Sequence, residues 1–261
     1  MAIPKIIHYC WYGGKAMPKM LQYCIVSWKK YLPDYEFVLW DENTTTFDCN
    51  FVKKAYAEKK WAFVSDYVRL KAVFEHGGVY MDTDMLLLKP LDDFLDNECF
   101  FVAEHTSSIG VGIFGAMSKN DFVGLCLESY RKKDTELVPI PKVVSDIFMK
   151  RYRLERNFNE TIKQDDIVIY APDYFYSLPY GKLFDIHHYK KYLTKNSYGV
   201  HLWHGSWHNY TELVLLRRKE YYKAFKKIFN TVFKERNFNY LYLRKIVTAF
   251  KDAILTKSAF K

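Results

Sequence analysis

The chain is expected to fold as an α/β protein, and three features of its sequence point there. Short apolar runs alternate with helix-periodic ones through the first third of the chain, which argues for a sheet built from βαβ units rather than a helical bundle. A Gly77-Gly78 pair stops one of those helical runs directly before a strand-like run. The composition is also ordinary for a globular protein, with 261 residues, 49% hydrophobic and 26% charged, ample for a real core.

The elements follow in order. Residues 5–11 read as a strand, 17–31 as a helix and 36–40 as a second strand, with Pro33-Asp34 as the turn before it. Residues 52–58 and 62–75 are helical, and 79–81 form a third strand. Residues 86–88 continue to Lys89-Pro90, where the proline closes the element. Residues 100–103 and 111–116 read as two strands around a Thr-Ser-Ser-Ile-Gly loop. Helices are expected over 121–133 and 143–153, separated by Pro139 and Pro141, and a short strand over 167–170. The segment 174–198 has no clean period and reads as irregular.

The chemistry concentrates in Ser65-Asp66-Tyr67-Val68-Arg69, followed by Gly77-Gly78-Val79-Tyr80-Met81-Asp82-Thr83-Asp84. Positions three apart are neighbours on a helix, so Asp66 and Arg69 share a face. Positions two apart share a face of a strand, so Tyr80, Asp82 and Asp84 also point together. Two glycines end the helix because they take the left-handed cap without penalty. A compact acidic pocket with one cation beside it suits a hard divalent metal carrying a diphosphate. An Asp-x-Asp triplet is common by chance, and its context carries the weight: the acids end a short apolar strand, where ligands of open α/β sheets often bind.

These residues resemble the glycosyltransferase family whose sugar-binding region contains the DXD motif. That family includes capsular-polysaccharide transferases and yeast Golgi initiating mannosyltransferases, and is distantly similar to clostridial glucosylating toxins. The opening Ile3-Pro4-Lys5-Ile6-Ile7-His8-Tyr9-Cys10-Trp11 and the later His201-Leu202-Trp203-His204-Gly205-Ser206-Trp207 resemble flanking motifs of the same family. The resemblance implies a GT-A-type, Rossmann-like mixed sheet flanked by helices. It implies retaining transfer of a sugar from a nucleotide diphosphate donor, UDP-sugar favoured, with Mn²⁺ or Mg²⁺ as cofactor. By the same resemblance Asp84 is the direct metal ligand, and Asp82 contacts the ribose or the metal. Asp66 and Arg69 hold the donor, Trp11 stacks on the base, and Ser206 and Trp207 reach the diphosphate. His201 is the third metal ligand, with His204 as the alternative. His8 reads as packed. No acid or base is evident for the acceptor: Glu104 is a candidate, and Asp146 or Asp173 serve as well.

Positive charge is uneven. The chain carries +9, but residues 217–261 hold 13 Lys/Arg and 3 Asp/Glu, a net of +10 that leaves the remainder at −1. The expected organisation is a transferase domain over 1–210, its nucleotide-sugar half 1–115 and acceptor half 116–210, followed by a basic helical tail over 211–261. Apolar stripes recur at helical spacing over 221–232 and 243–254, consistent with docking on the body or with lying on an anionic membrane. Five scattered cysteines without metal spacing read as reduced thiols. With no leader and no apolar run of spanning length, a cytoplasmic enzyme is expected, peripheral at the inner membrane face. Its expected partners are a nucleotide-sugar and a lipid-linked glycan acceptor in capsule or O-antigen assembly. A metal-dependent phosphohydrolase or nucleotidyltransferase would show a phosphate-gripping glycine loop or a larger acid set. A nucleic-acid-binding protein would carry its charge through the body rather than in the tail.

Overall fold

The computed structural model describes residues 2–132, 138–154, 157–205, 210–234 and 239–260. The chain divides into two compact units, Met1–Ser177 with Thr194–His201, and Leu178–Leu193 with Leu202–Lys261. The first unit holds β1 (Ile6–Cys10), α1 (Lys19–Tyr31), β2 (Glu36–Trp40), α2 (Asn50–Ala57), α3 (Trp61–His76), β3 (Gly78–Met81) and β4 (Met85–Leu87). It continues through α4 (Asp92–Leu95), β5 (Cys99–His105), β6 (Ser108–Ala116), α5 (Asp121–Lys132), α6 (Ile140–Tyr152), β7 (Ile162–Gln164), β8 (Ile167–Tyr170) and β9 (Gly199–His201).

Seven strands form one mixed sheet in the order β2-β1-β3-β6-β5-β8-β7. Strands β2, β1 and β3 run parallel, and β6 is antiparallel to β3. The carboxyl ends of the three parallel strands therefore lie at one edge, where Trp11, Asp41 and Asp82 follow them. The expected α/β class, a mixed sheet flanked by helices, is what the unit forms. Side chains alternate across the sheet. Cys99, Phe101 and Ala103 enter the core shared with α2, α3, α5 and α6, whereas Phe100 turns the other way onto Phe94 of α4 and Tyr170.

The glycine pair does what its composition predicts. Gly77 and Gly78 have φ of +69° and +102°. A Cβ on Gly78 would stand 2.7 Å from the Ile6 carbonyl oxygen, so no side chain fits where α3 hands over to β3. His8 is buried beside this turn, as expected of a packed residue. Its Nε2 lies 2.8 Å from the Gly77 carbonyl oxygen, and Trp40 donates to its Nδ1 at 3.2 Å. Nε2 therefore carries the proton.

Two expectations are corrected. Strand β3 stops at Met81, and Asp82 to Met85 form a turn closed by Met85 N–H to the Asp82 carbonyl at 2.9 Å. The two acids converge through that turn rather than through strand alternation. The stretch 106–110 is not a loop either, because β5 and β6 extend to His105 and from Ser108 as a tight hairpin. The pairing of β5 with β6 skips between Phe101↔Phe114 and Val102↔Gly110, which leaves Val111 to Ile113 bulged. All five cysteines are free, and four are buried.

The second unit contains 3₁₀ turns over Tyr180–Tyr192, then α7 (Glu212–Arg217), α8 (Tyr221–Phe229) with a π-helical extension to Lys234, and α9 (Tyr240–Leu255). Thr211 caps α7 and Asn239 caps α9. Leu215, Leu216, Ala224 and Ala249 are the centre of its small core, with Tyr221, Ile228, Ile246 and Phe250 around them. Among the described residues no helix is long and apolar enough to cross a membrane.

Candidate active site

Helix α3 is buried almost all round in its middle turns, and it carries Asp66 and Arg69 into that interior. Their side chains are only 10% and 5% exposed, and they pair at 3.2 Å. Burying both ions is costly unless every polar atom finds a partner. Here Arg69 donates from Nη1 to the Val111 carbonyl at 2.8 Å and from Nε to the Ser65 carbonyl at 3.2 Å. Its Nη1 also faces Asp82 at 3.3 Å, and its guanidinium lies 4.5 Å from the centre of the Tyr80 ring. Burial works against the guanidinium's charge, but Asp82 and Asp66 outweigh it. Burial pushes the Asp66 carboxyl up to about 7, against the pull of Arg69 and of the Ile140 N–H at the start of α6. A carboxyl poised there can accept from a sugar hydroxyl or donate to one.

Asp82 and Asp84 leave the end of β3 in the turn described above. The Asp82 N–H donates to the Gly112 carbonyl at 2.7 Å, and Tyr80 donates to Asp82 Oδ1 at 2.8 Å. Strand β4 then pairs with β9, placing Met85 opposite His201. That register brings His201 Nε2 to 3.1 Å from Asp84 Oδ1. Trp28 of α1 holds the start of β4 by donating to the Met85 carbonyl at 2.6 Å. Burial opposes charge on His201, yet Asp84, with Asp82 and Glu104, holds its imidazole above the usual range.

Asp82, Asp84 and His201 each offer one ligand atom, all within 4.8 Å of one another. Two carboxylate oxygens and one imidazole nitrogen suit a divalent ion that accepts mixed ligands. The missing side chain of Gly112 keeps the space beside these ligand atoms open. A Cβ on Gly112 would stand 2.9 Å from Asp82 Oδ2, 2.9 Å from the Tyr176 hydroxyl and 3.6 Å from His201 Nε2. The residues present therefore fit a metal.

Three neighbours complete the surroundings. Tyr176 is buried, its hydroxyl accepts from the Gly112 N–H at 3.0 Å, and its ring centre lies 5.4 Å from that of His201. Glu104, at the end of β5, accepts from Ser108 at 3.2 Å, and burial raises its carboxyl pKa while His201 draws it down. A Cβ on Gly110 would meet both the Tyr176 hydroxyl and Glu104 Cβ, at 2.6 and 2.9 Å. Sequence reasoning passed over Tyr176, Gly110 and Gly112. The signal available was Gly-Val-Gly inside a strand, a pattern that marks a bulge or a close backbone approach.

The other candidates fall as follows. Trp11 leaves β1 at the same sheet edge, partly exposed, with Nε1 donating to the Lys15 carbonyl at 2.6 Å. His204 belongs to the second unit, where its Nδ1 lies 3.5 Å from Arg218 Nη2. Asp146 pairs with Lys142 at 2.6 Å, and Asp173 accepts from Thr194 and Asn196, organising a loop. Ser206 and Trp207 lie outside the described residues.

Residues 18–101 match the profile of the family described as "Glycosyltransferase sugar-binding region containing DXD motif". The matched stretch takes in Asp66, Arg69, Asp82 and Asp84. It is 27% identical to human alpha-1,4-N-acetylglucosaminyltransferase over 172 residues, 62% of this chain and 48% of that protein. It is 28% identical to inositol phosphoceramide mannosyltransferase 1 of Schizosaccharomyces pombe over 144 residues, 50% of this chain and 43% of that one. The chain spans under half the length of these curated relatives. Among solved structures, the galactosyltransferase LgtC with donor and acceptor sugar analogs aligns with a TM-score of 0.43 at 14% identity, over 78% of this chain and 90% of that one.

Proposed function

We propose that this protein is a retaining, metal-dependent glycosyltransferase of GT-A type, moving a sugar from a nucleotide diphosphate donor to a glycan acceptor. One observation carries the reading: an Asp82–Asp84–His201 ligand set adjoins the buried Asp66–Arg69 pair, and Asp66, Arg69, Asp82 and Asp84 fall in the stretch that matches the DXD-containing region. Asp84 and His201 hold the cation directly, and Asp82 shares it or turns to the ribose. The imidazole ligand favours Mn²⁺ over Mg²⁺, which prefers oxygen. When bound, the ion supplies Lewis-acid stabilisation of charge on the leaving diphosphate.

The chain's own residues do the rest. Asp66 binds donor sugar hydroxyls, and Arg69 fixes Asp66 and Asp82 while its charge faces the sugar-phosphate. Trp11 covers the base at the sheet edge. In the transfer, the bond from the anomeric carbon to the diphosphate oxygen breaks and one to the acceptor oxygen forms. The acceptor proton leaves to a base, for which Glu104, close enough to His201 and Asp82 to feel their charge, is the candidate. The positive charge gathered in 217–261 supports a lipid-linked acceptor, in capsule or O-antigen assembly at the inner membrane face.

The test is release of free nucleotide from a panel of UDP- and GDP-sugars with Mn²⁺, Mg²⁺ or EDTA. Turnover of one donor should need the metal and fall about a thousandfold in Asp84→Ala, as loss of several kcal/mol of charge stabilisation requires. Turnover unaffected by EDTA and by the substitution would overturn the proposal.

A further inference from the structure

The apolar stripes of α8 and α9 divide into two sets. Tyr221, Ile228, Ile246 and Phe250 close the small core of the second unit. A further row faces solvent: Tyr222 at 83% exposure, Phe229 and Phe233 along α8 and its extension, and Val247 at 67%, Ile254 and Leu255 along α9. In α9, Arg244, Val247, Lys251 and Ile254 follow one another at helical spacing, so cations and aliphatic side chains share a single outward face. Lys226 stands on the aromatic row of α8, whereas Lys223 pairs with Glu220 at 2.7 Å. Residues 221–234 contain no acid, and residues 240–255 contain Asp252 alone, which pairs with Arg217 at 3.5 Å.

Monomeric proteins rarely leave so many large apolar side chains in solvent without a use for them. Charge selects the occupant. A second copy of this chain would set like charges against each other across a segment of net +10. Single-stranded nucleic acid would find aromatic rings on α8, but Val247, Ile254 and Leu255 offer no π-face for a base. An anionic bilayer surface meets both demands, because it takes aromatic and aliphatic side chains at the acyl boundary and cations among its headgroups. We infer that the outward faces of α8 and α9 are a membrane-docking surface that seats the protein on anionic phospholipid. This rests on the second unit alone and stands whether or not the transferase reading holds.

The experiment is co-sedimentation of the full chain with vesicles of phosphatidylcholine, alone or mixed with phosphatidylglycerol. Binding should appear only with the anionic mixture and weaken as salt is added. The double variant Tyr222→Ser/Val247→Ser should lose it, while Lys226→Glu/Lys251→Glu should weaken it about tenfold or more. Both variants should keep the parent's circular dichroism and melting temperature, since all four side chains point outward. Equal binding to both vesicle types, or parent-like binding by the Ser variant, would overturn the inference. So would a dimer in sedimentation velocity, or a complex with single-stranded RNA, that the Ser variant abolishes while vesicle binding persists. Vesicle binding without donor turnover would uphold this surface and count against the proposed reaction only.

Discussion

Helices α3 and α9 are each 16 residues long and use their side chains in opposite ways. Helix α3 buries an aspartate and an arginine among Val64, Tyr67, Val68 and Leu70. Helix α9 buries little beyond Ala249 and Ala253, and presents valine, isoleucine and leucine to solvent. Each inverts the rule that apolar groups go inside and charges outside. An ion pair sealed in a core stabilises little by itself, so its place there is explained by what it holds. Apolar groups left in water need a surface to meet. In both helices the departure from the rule marks a site more clearly than agreement with it would.

The largest expected effect comes from breaking the buried charge. Arg69→Met leaves Asp66 and Asp82 without their cation and should cost about 3–5 kcal/mol in urea unfolding. Adding Asp66→Leu should recover part of that loss, because replacing a whole buried pair by apolar groups is nearly neutral. An undiminished unfolding midpoint in Arg69→Met would mean that the pair is not held as described.

A smaller effect tests the neutral group buried beside the same helix. Burial holds the His8 imidazole down to about 4, against an ordinary value of 6.5. Between those values the unfolded chain binds the proton and the folded chain does not. Stability should therefore fall as pH drops from 6.5 toward 4, by up to roughly 3 kcal/mol. His8→Gln should remove that part of the slope, measured as the unfolding midpoint against pH. An unchanged slope would show that His8 is protonated in the folded state.

The smallest effect belongs to α9. Val247→Ser and Ile254→Ser should alter stability by no more than about 0.5 kcal/mol, as for other surface changes. A larger loss would show that these side chains pack inside the protein and would remove the contrast with α3.

Much of this was legible in the sequence, for physical reasons. The spacing of Asp66 and Arg69 fixes their shared helical face, and Gly77-Gly78 fixes where that helix stops, because both are local properties. The turn at Asp82 to Met85 was hidden, since an apolar strand with two following acids reads the same whether it continues or bends. The bulge at Val111 to Ile113 was hidden for a related reason. Register depends on the partner strand, and only the glycines at 110 and 112 betray it. Tyr176 lies in a segment without period, so nothing local could have placed its hydroxyl on the Gly112 amide. The outward row of α8 and α9 is mixed with an inward one at nearly the same spacing, and only burial separates them.

The most direct test of the central claim is calorimetric titration of UDP, and then GDP, into the protein with Mn²⁺ and with EDTA, for the parent and for His201→Ala. The account predicts that one of the two nucleotides binds only when Mn²⁺ is present. It also predicts that His201→Ala weakens this binding about tenfold or more, as loss of a ligand from a metal site does. Nucleotide binding that is equal in EDTA, or untouched by loss of His201, would contradict it.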